Sequence, residues 1–163
     1  RNGDVIPQVQ DRAAWADLTT GAWCYYNNDA SNGTKYGKLY NWYAVNDPRG
    51  LAPKGYHIPT DEEWTKLSDY LGGEEEAGTK MKSTSGWYNN GNGTNSSGFS
   101  GLPGGYRDYG GTFSLIGKLG NWWSSTENYT YNAWSRNLTY TGGDAFRFDY
   151  YKGEGFSVRC VKD

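Results

Sequence analysis

"GYHIPTDEEWTKL", residues 55–67, holds the one histidine of the chain with three carboxylates close behind it. Such a cluster suits acid–base chemistry, but it also suits the start of a helix, and the local chemistry favours the helix. Thr60 is placed to accept from a free N–H of the first turn, and Glu63, three residues on, to reach back to the Thr60 N–H. Asp61 and Glu62 then fall where the helix dipole favours negative charge. Pro59 keeps Ile58 out of the α region, so the helix cannot begin earlier. Trp64, Leu67 and Leu71 follow on one face, and Gly72-Gly73 closes the element. Each acid has a structural task, so this stretch predicts a capped helix and no catalytic centre.

The rest of the chain sets the class. Its 163 residues fit one domain with a sizeable core. Only 36% of residues are apolar, yet 17% are aromatic, with 15 Tyr, 8 Trp and 24 Gly. That mix predicts short elements, many turns, and rings that serve both packing and binding. Net charge is −2, from 16 basic and 18 acidic residues. No Lys/Arg stripe marks a nucleic-acid face. No apolar run approaches the roughly 18 residues of a spanning helix, so no membrane insertion by this chain is expected.

Two cysteines, Cys24 and Cys160, and one histidine cannot complete a four-ligand zinc site. Both cysteines lie in strand-like runs, "GAWCYY" and "GFSVRCV". A disulfide between Cys24 and Cys160 and a pair of buried free thiols stand as equal alternatives.

Along the chain, "DRAAWADL" (11–18) reads as a short helix with Ala14, Trp15 and Leu18 on one side. "GAWCYYN" reads as a strand, 27–37 as a loop, and "KLYNWYAV" (38–45) as a helix. The Gly/Asn/Ser-rich stretch 89–111 is long enough to be either functional or tied down by its own packing. Four strand-like runs close the chain: "WWSST", "NAWSRNLTYT", "DAFRFDYY" and "GFSVRCV". Helices first and a hairpin sheet last predict an α+β fold. In the second run Trp134, Arg136, Leu138 and Tyr140 share one parity, expected to face the core. Ser135, Asn137, Thr139 and Thr141 share the other, expected to face outward.

Six motifs in order, "YGKLYNWYAV", "PKGYHIPTDEEW", "AGTKMKSTSGW", "GFSGLPGGYR", "WWSSTE" and "GFSVRC", resemble the Fibrobacter succinogenes major paralogous domain, from about Asp4 to Asp163. "HIPTDEEW" is also similar to the "RLPTEAEW" of the formylglycine-generating, sulfatase-modifying family. The resemblance implies a C-type-lectin-like fold with short helices, a C-terminal antiparallel sheet and long Gly/Asn-rich loops, exposed outside a bacterial cell or on a phage. It implies a further strand segment upstream, so residues 1–163 are expected to be one domain of a longer chain. In that fold His57 is expected to pack or hydrogen-bond near the helix start.

Function is expected to be binding without catalysis. The cysteines fall in scaffold strands, so sulfatase-modifying chemistry does not carry over. The calcium-binding triplets of C-type lectins are absent. No cofactor is expected, although Asn/Asp-rich loops leave room for a structural calcium ion. Some proteins of this fold are diversified by retroelements at a C-terminal ligand face, and the outward parity here has the composition of such a face. The predicted face spans Asn128 to Lys152. Its candidates are Tyr129, Tyr131, Asn132, Ser135, Asn137, Thr139, Asp144, Phe146, Phe148 and Tyr150, with a surface protein or glycan of another cell as partner. Two alternatives are a structural adhesin or tail-fibre tip and a carbohydrate-active hydrolase. The hydrolase would need two converging carboxylates among Asp108, Glu127, Asp144 and Asp149.

Overall fold

Short elements, each fixed by a local cap or a single pairing, fill the first two-thirds of the chain. The computed structural model describes residues 2–163. Helix α1 (Arg12–Ala16) starts at Asp11, whose carboxylate accepts from the Ala14 N–H at 2.8 Å. Strand β1 (Trp23–Cys24) pairs with β2 (Leu39–Tyr40), and α2 (Ala30–Tyr36) lies between them. Helix α3 (Trp42–Val45) follows, capped by Asn41, and β3 (Tyr56–His57) leads into α4 (Asp61–Tyr70). Then come α5 (Glu74–Met81) and the paired strands β4 (Tyr106–Arg107) and β5 (Phe113–Ser114). The last third forms β6 (Leu119–Tyr129), β7 (Asn132–Thr139) and β8 (Ala145–Tyr151), and β9 (Val161–Lys162) returns to pair with β3. Among the described residues this is an α+β architecture of five helices and small antiparallel sheets, ending in a three-stranded sheet of order β6-β7-β8.

The start of α4 is as its sequence dictates. Thr60 Oγ1 accepts from the Glu63 N–H at 3.2 Å, and Glu63 accepts from the Thr60 N–H at 2.8 Å. Trp64 and Leu71 are buried and Leu67 half-buried. Gly72, at φ +103, turns the chain toward α5. His57 sits beside this cap. Its Nε2 meets Glu63 at 2.9 Å and its Nδ1 meets Asp163 at 2.8 Å, tying the chain end to the helix start. Hydrogen bonds that its ring N–H groups donate to Asp163 and Glu63 raise its pKa above the ordinary value. Thr60→Ala removes one half of the reciprocal cap. It is expected to lower stability by about 1 kcal/mol in urea unfolding while leaving the native circular dichroism spectrum intact.

The sheet is covered on both sides. Trp122 and Leu138 pack with Trp64, Leu71, Ala77, Met81 and Trp87. Their neighbours Trp123 and Ala133 point the other way, into Trp42, Val45, Ile58 and Phe156. A third cluster holds Trp15, Cys24, Tyr26 and Leu39. Helix α5 docks on the β7–β8 turn through Thr79 N–H to Gly143 O at 2.9 Å. A Cβ at Gly78 would lie 2.1 Å from the Asp144 carbonyl oxygen, so only glycine permits this approach.

Several expectations are corrected here. Residues 27–37 are not all loop, because Asp29 caps α2 by accepting from the Ser31 N–H at 2.8 Å. The proposed helix 38–45 is helical only from Trp42, since Leu39–Tyr40 pair with β1. The fourth strand-like run does not join the sheet as a fourth strand. Phe156 bridges to Tyr40, Ser157 to Trp122, and Val161 pairs with His57. Ser135 and Asn137 do not face outward, being 0% and 2% exposed. β7 is the central strand, so both its parities are buried; the Ser135 hydroxyl and the Asn137 amide nitrogen find partners there, while Asn137 Oδ1 has none. Ser135 Oγ donates to Phe148 O at 3.0 Å, and Asn137 Nδ2 donates to Asn121 Oδ1. The two cysteines are free thiols. Cys24 is buried in the third cluster, where burial pushes its thiol up to about 11, and Cys160 packs against the second.

The stretch 89–111 is held by its own packing. Thr94 N–H donates to Thr79 O and Gly101 N–H to Met81 O, both at 2.8 Å. Phe99 inserts edge-on between Trp64 and Trp122, with ring centroids 5.7 and 5.2 Å away.

Candidate binding surface

The β6–β7 hairpin tip brings Tyr129 and Tyr131 into solvent, 70% and 72% exposed. Lys152 fixes that tip from the end of β8. Its N–H donates to Tyr131 O at 2.9 Å, and its Nζ donates to Thr130 O at 2.7 Å and pairs with Glu127. The same ammonium lies 4.9 Å from the Trp42 ring, so the clamp is anchored in the core. Beside the tip, Tyr109 and Tyr151 stand exposed with ring centroids 5.2 Å apart. Tyr43, Tyr109, Tyr131 and Tyr151 together line an open cleft of about 360 Å³, with Ala16 and Leu18 also in its wall.

A second aromatic feature runs along β8, the edge strand of the sheet. Phe146 stacks on Phe148 at 5.7 Å, Phe148 meets Tyr150 edge-on at 6.4 Å, and Tyr150 meets Phe156 at 5.2 Å. From Phe148 through Tyr150 to Phe156 the ladder descends from an exposed ring to a buried one. Burial also raises the Tyr150 hydroxyl pKa.

The predicted candidates therefore divide by position. Tyr129, Tyr131 and Phe148 are exposed, and Phe146 and Tyr150 are half-buried in the ladder. Asn132, also half-buried, donates to Asp149 at 2.8 Å. Thr139 and Asp144 sit at the far end of β7, where Lys82 Nζ closes the turn by donating to Thr139 O and Gly142 O. Ser135 and Asn137 are interior and touch no solvent face. Tyr43, Tyr109 and Tyr151 were not among the candidates. The "YY" of 150–151 and the lone Tyr109 between Asp108 and Gly110 were the available signals.

The acids of this region have their own engagements. Asp108 accepts from the Thr112 N–H at 2.8 Å, Glu127 pairs with Lys152, and Asp149 accepts from Asn132. Glu154 is different. It is 7% exposed, its Oε2 has no hydrogen-bond partner, and burial, with Asp108 nearby, pushes its pKa up to about 8. Asp47, in the "NWYAVND" motif, is held down to about 2 by hydrogen bonds from Arg49. No group of three or more His, Cys, Asp or Glu among the described residues stands close enough to hold a metal ion. No described helix is long and apolar enough to cross a membrane.

An α+β scaffold with tyrosines gathered at one end of a C-terminal sheet is the class these features define. The chain belongs to the Fibrobacter succinogenes major domain family (Fib_succ_major), whose family model matches residues 1–162. Neither the curated proteins nor the solved structures compared with it include a match.

Proposed function

We propose that this is a non-enzymatic binding module of C-type-lectin-like fold, displayed on a cell or phage surface, which holds its ligand against the tyrosine cleft and the adjoining β8 ladder. The observation that carries this is the convergence of Tyr43, Tyr109, Tyr131 and Tyr151 from four separate segments onto one open cleft. Exposed tyrosines give flat contact area with few rotors to immobilise, and a hydroxyl for each ring. Burial would better suit rings that serve only the core. The partner is a surface protein or glycan of another cell. If the C-terminal region is diversified, variation should fall on Tyr129, Tyr131 and Phe148 and spare Ser135 and Asn137, whose replacement would leave buried groups unpaired. A hydrolase has weaker support, because Glu127 and Asp149 are occupied by Lys152 and Asn132.

The test begins with a glycan array and pull-downs from surface extracts of neighbouring bacteria, followed by titration of the ligand found. Tyr131→Ala and Tyr151→Ala alter exposed rings, so each should move stability by less than roughly 0.5 kcal/mol. Each should weaken binding at least about tenfold, the equivalent of about 1.4 kcal/mol. Unchanged affinity in both folded variants would remove the cleft as the site.

A further inference from the structure

A second sizeable pocket lies away from the tyrosines. It is an open pocket of about 540 Å³ between the end of α2, β2 and the segment 157–159. Three basic residues line it: Lys35, Lys38 and Arg159, the last two with their charged ends over Trp23 and Phe99 at its margin. No carboxylate lines it, and none of the three forms an ion pair with a described carboxylate. This is notable in a chain that carries more acid than base. Like charges gathered without counter-charge repel one another, so the arrangement is unfavourable unless an anion enters. The α2 dipole accounts for Lys35, in the last helical turn, but not for the other two.

The cations are also held in place. The Lys38 ammonium sits 3.9 Å from the Trp23 ring centroid and that of Lys35 4.9 Å from Tyr36. Arg159 stacks 4.6 Å from the Phe99 ring and donates to Phe99 O. Because these contacts use ring faces and a backbone carbonyl, the charges themselves remain uncompensated.

The remaining wall is mixed. Tyr36, Tyr40, Leu102 and Val158 offer ring and aliphatic surface, and Ser100 and Ser157 offer hydroxyls. An inorganic anion would use the cations and waste the wall. A neutral sugar would use the wall and leave the cations unpaired. The complementary chemistry is a hydroxylated ring that bears a carboxylate. We propose that this pocket is a second binding site, for sugars of the uronic acid class, with Lys35, Lys38 and Arg159 taking the carboxylate and the tyrosines and serines taking the ring.

Isothermal titration with glucuronate, glucose and inorganic phosphate separates the components. Glucuronate should bind at least about tenfold tighter than either of the others, and its affinity should fall from low to physiological salt. Lys38→Gln and Arg159→Gln should each weaken glucuronate by about fivefold or more, a ratio equivalent to about 1 kcal/mol. Arg159→Gln also removes a contact to Phe99, so a thermal melt accompanies it, and Lys35→Gln, at an exposed helix end, serves as the variant least able to disturb the fold. Tyr131→Ala should leave glucuronate binding unchanged, which separates this site from the tyrosine cleft. The proposal is overturned if glucuronate gives no binding at millimolar concentration. It is equally overturned if glucose binds as well, if phosphate binds as tightly and competes, or if all three charge variants retain full affinity.

Discussion

Asp61→Ala should destabilise the protein by about 3–5 kcal/mol, far more than a helix-terminal acid is worth by its dipole alone. Asp61 Oδ1 accepts from Arg136 Nη1 at 2.7 Å, and Oδ2 accepts from Arg147 Nε and Nη2 at 2.9 and 2.8 Å. Arg136 lies inside the central strand and is nearly inaccessible. Without the carboxylate its guanidinium keeps the Asp61 carbonyl, Thr65 Oγ1 and Ser135 O, all neutral. A charge is then buried with no counter-charge, which is the costly case. Arg147 is 40% exposed, so Arg147→Ala should lose at most about 1 kcal/mol from the ion pair, plus its stacking 3.3 Å from Trp134.

Urea unfolding of three variants distinguishes burial from simple pairing. Asp61→Ala and Asp61→Asn should both be severe. Asp61→Ala combined with Arg136→Met should recover much of the loss, because an apolar pair of similar volume is often as stable as a buried ion pair. A loss below about 1 kcal/mol for Asp61→Ala would return this residue to the role of a dipole-favoured surface acid. The pH dependence has a definite sign. Burial alone would raise the Asp61 pKa, but hydrogen bonds from Arg147 and Arg136 outweigh it and hold the group below its ordinary value. Its stabilisation is present above the unfolded pKa of 3.8 and is lost as pH falls through the lower folded value.

What could be read from the sequence was what neighbours in the chain decide. The cap of α4 rests on Thr60 and Glu63, three residues apart, and needs nothing distant to form. Its apolar face, Trp64 and Leu71, follows from helical period alone. The errors lie where distant partners decide. Period-2 reasoning assumes that one face of a strand meets water, whereas β7 is covered by α4 and α5 on one side and by Trp42 and Phe156 on the other. Ser135 and Asn137 have the composition of a surface and the position of a core. Helix α2, "ASNGTKY", has poor helical propensity and is fixed by the Asp29 cap and by Tyr25, whose ring packs where a Gly33 side chain would be. The aromatic richness of the chain predicted rings on the surface as well as in the core, and Tyr129 and Tyr131 are exposed as expected. Tyr43, Tyr109 and Tyr151, the neighbours of Tyr131, come from segments that only tertiary packing unites. The cationic pocket is equally invisible, because Lys35 and Arg159 are separated by most of the chain.

The buried acid near the tyrosine cleft should make the protein lose stability as pH rises from weakly acidic to alkaline. Burial first, and the charge of Asp108 second, push the Glu154 pKa from 4.5 to about 8. Its carboxyl accepts from the Tyr109 backbone N–H, which favours the ionised form, yet Oε2 has no partner and burial prevails. Between those two values the folded state holds a proton that the unfolded state has released. Folding then binds protons, so stability falls with increasing pH across that window. A shift from 4.5 to about 8 sets a ceiling of about 5 kcal/mol, at about 1.4 kcal/mol per unit. Glu154→Gln keeps the shape and cannot ionise. In urea unfolding at about pH 5, 7 and 9, the parent protein should lose several kcal/mol and the variant should give a nearly flat profile. His57 contributes in the same direction, because its raised pKa gives stabilisation that is full below 6.5 and lost as pH rises through the folded value. Its pairing with Glu63 and Asp163 is largely solvent-exposed, so its share is small. His57→Gln measures that share, and the slope that remains in it belongs to Glu154. Parallel pH profiles for the parent and Glu154→Gln would mean that Glu154 is ionised in the folded protein at neutral pH, with a counter-charge or water reaching Oε2.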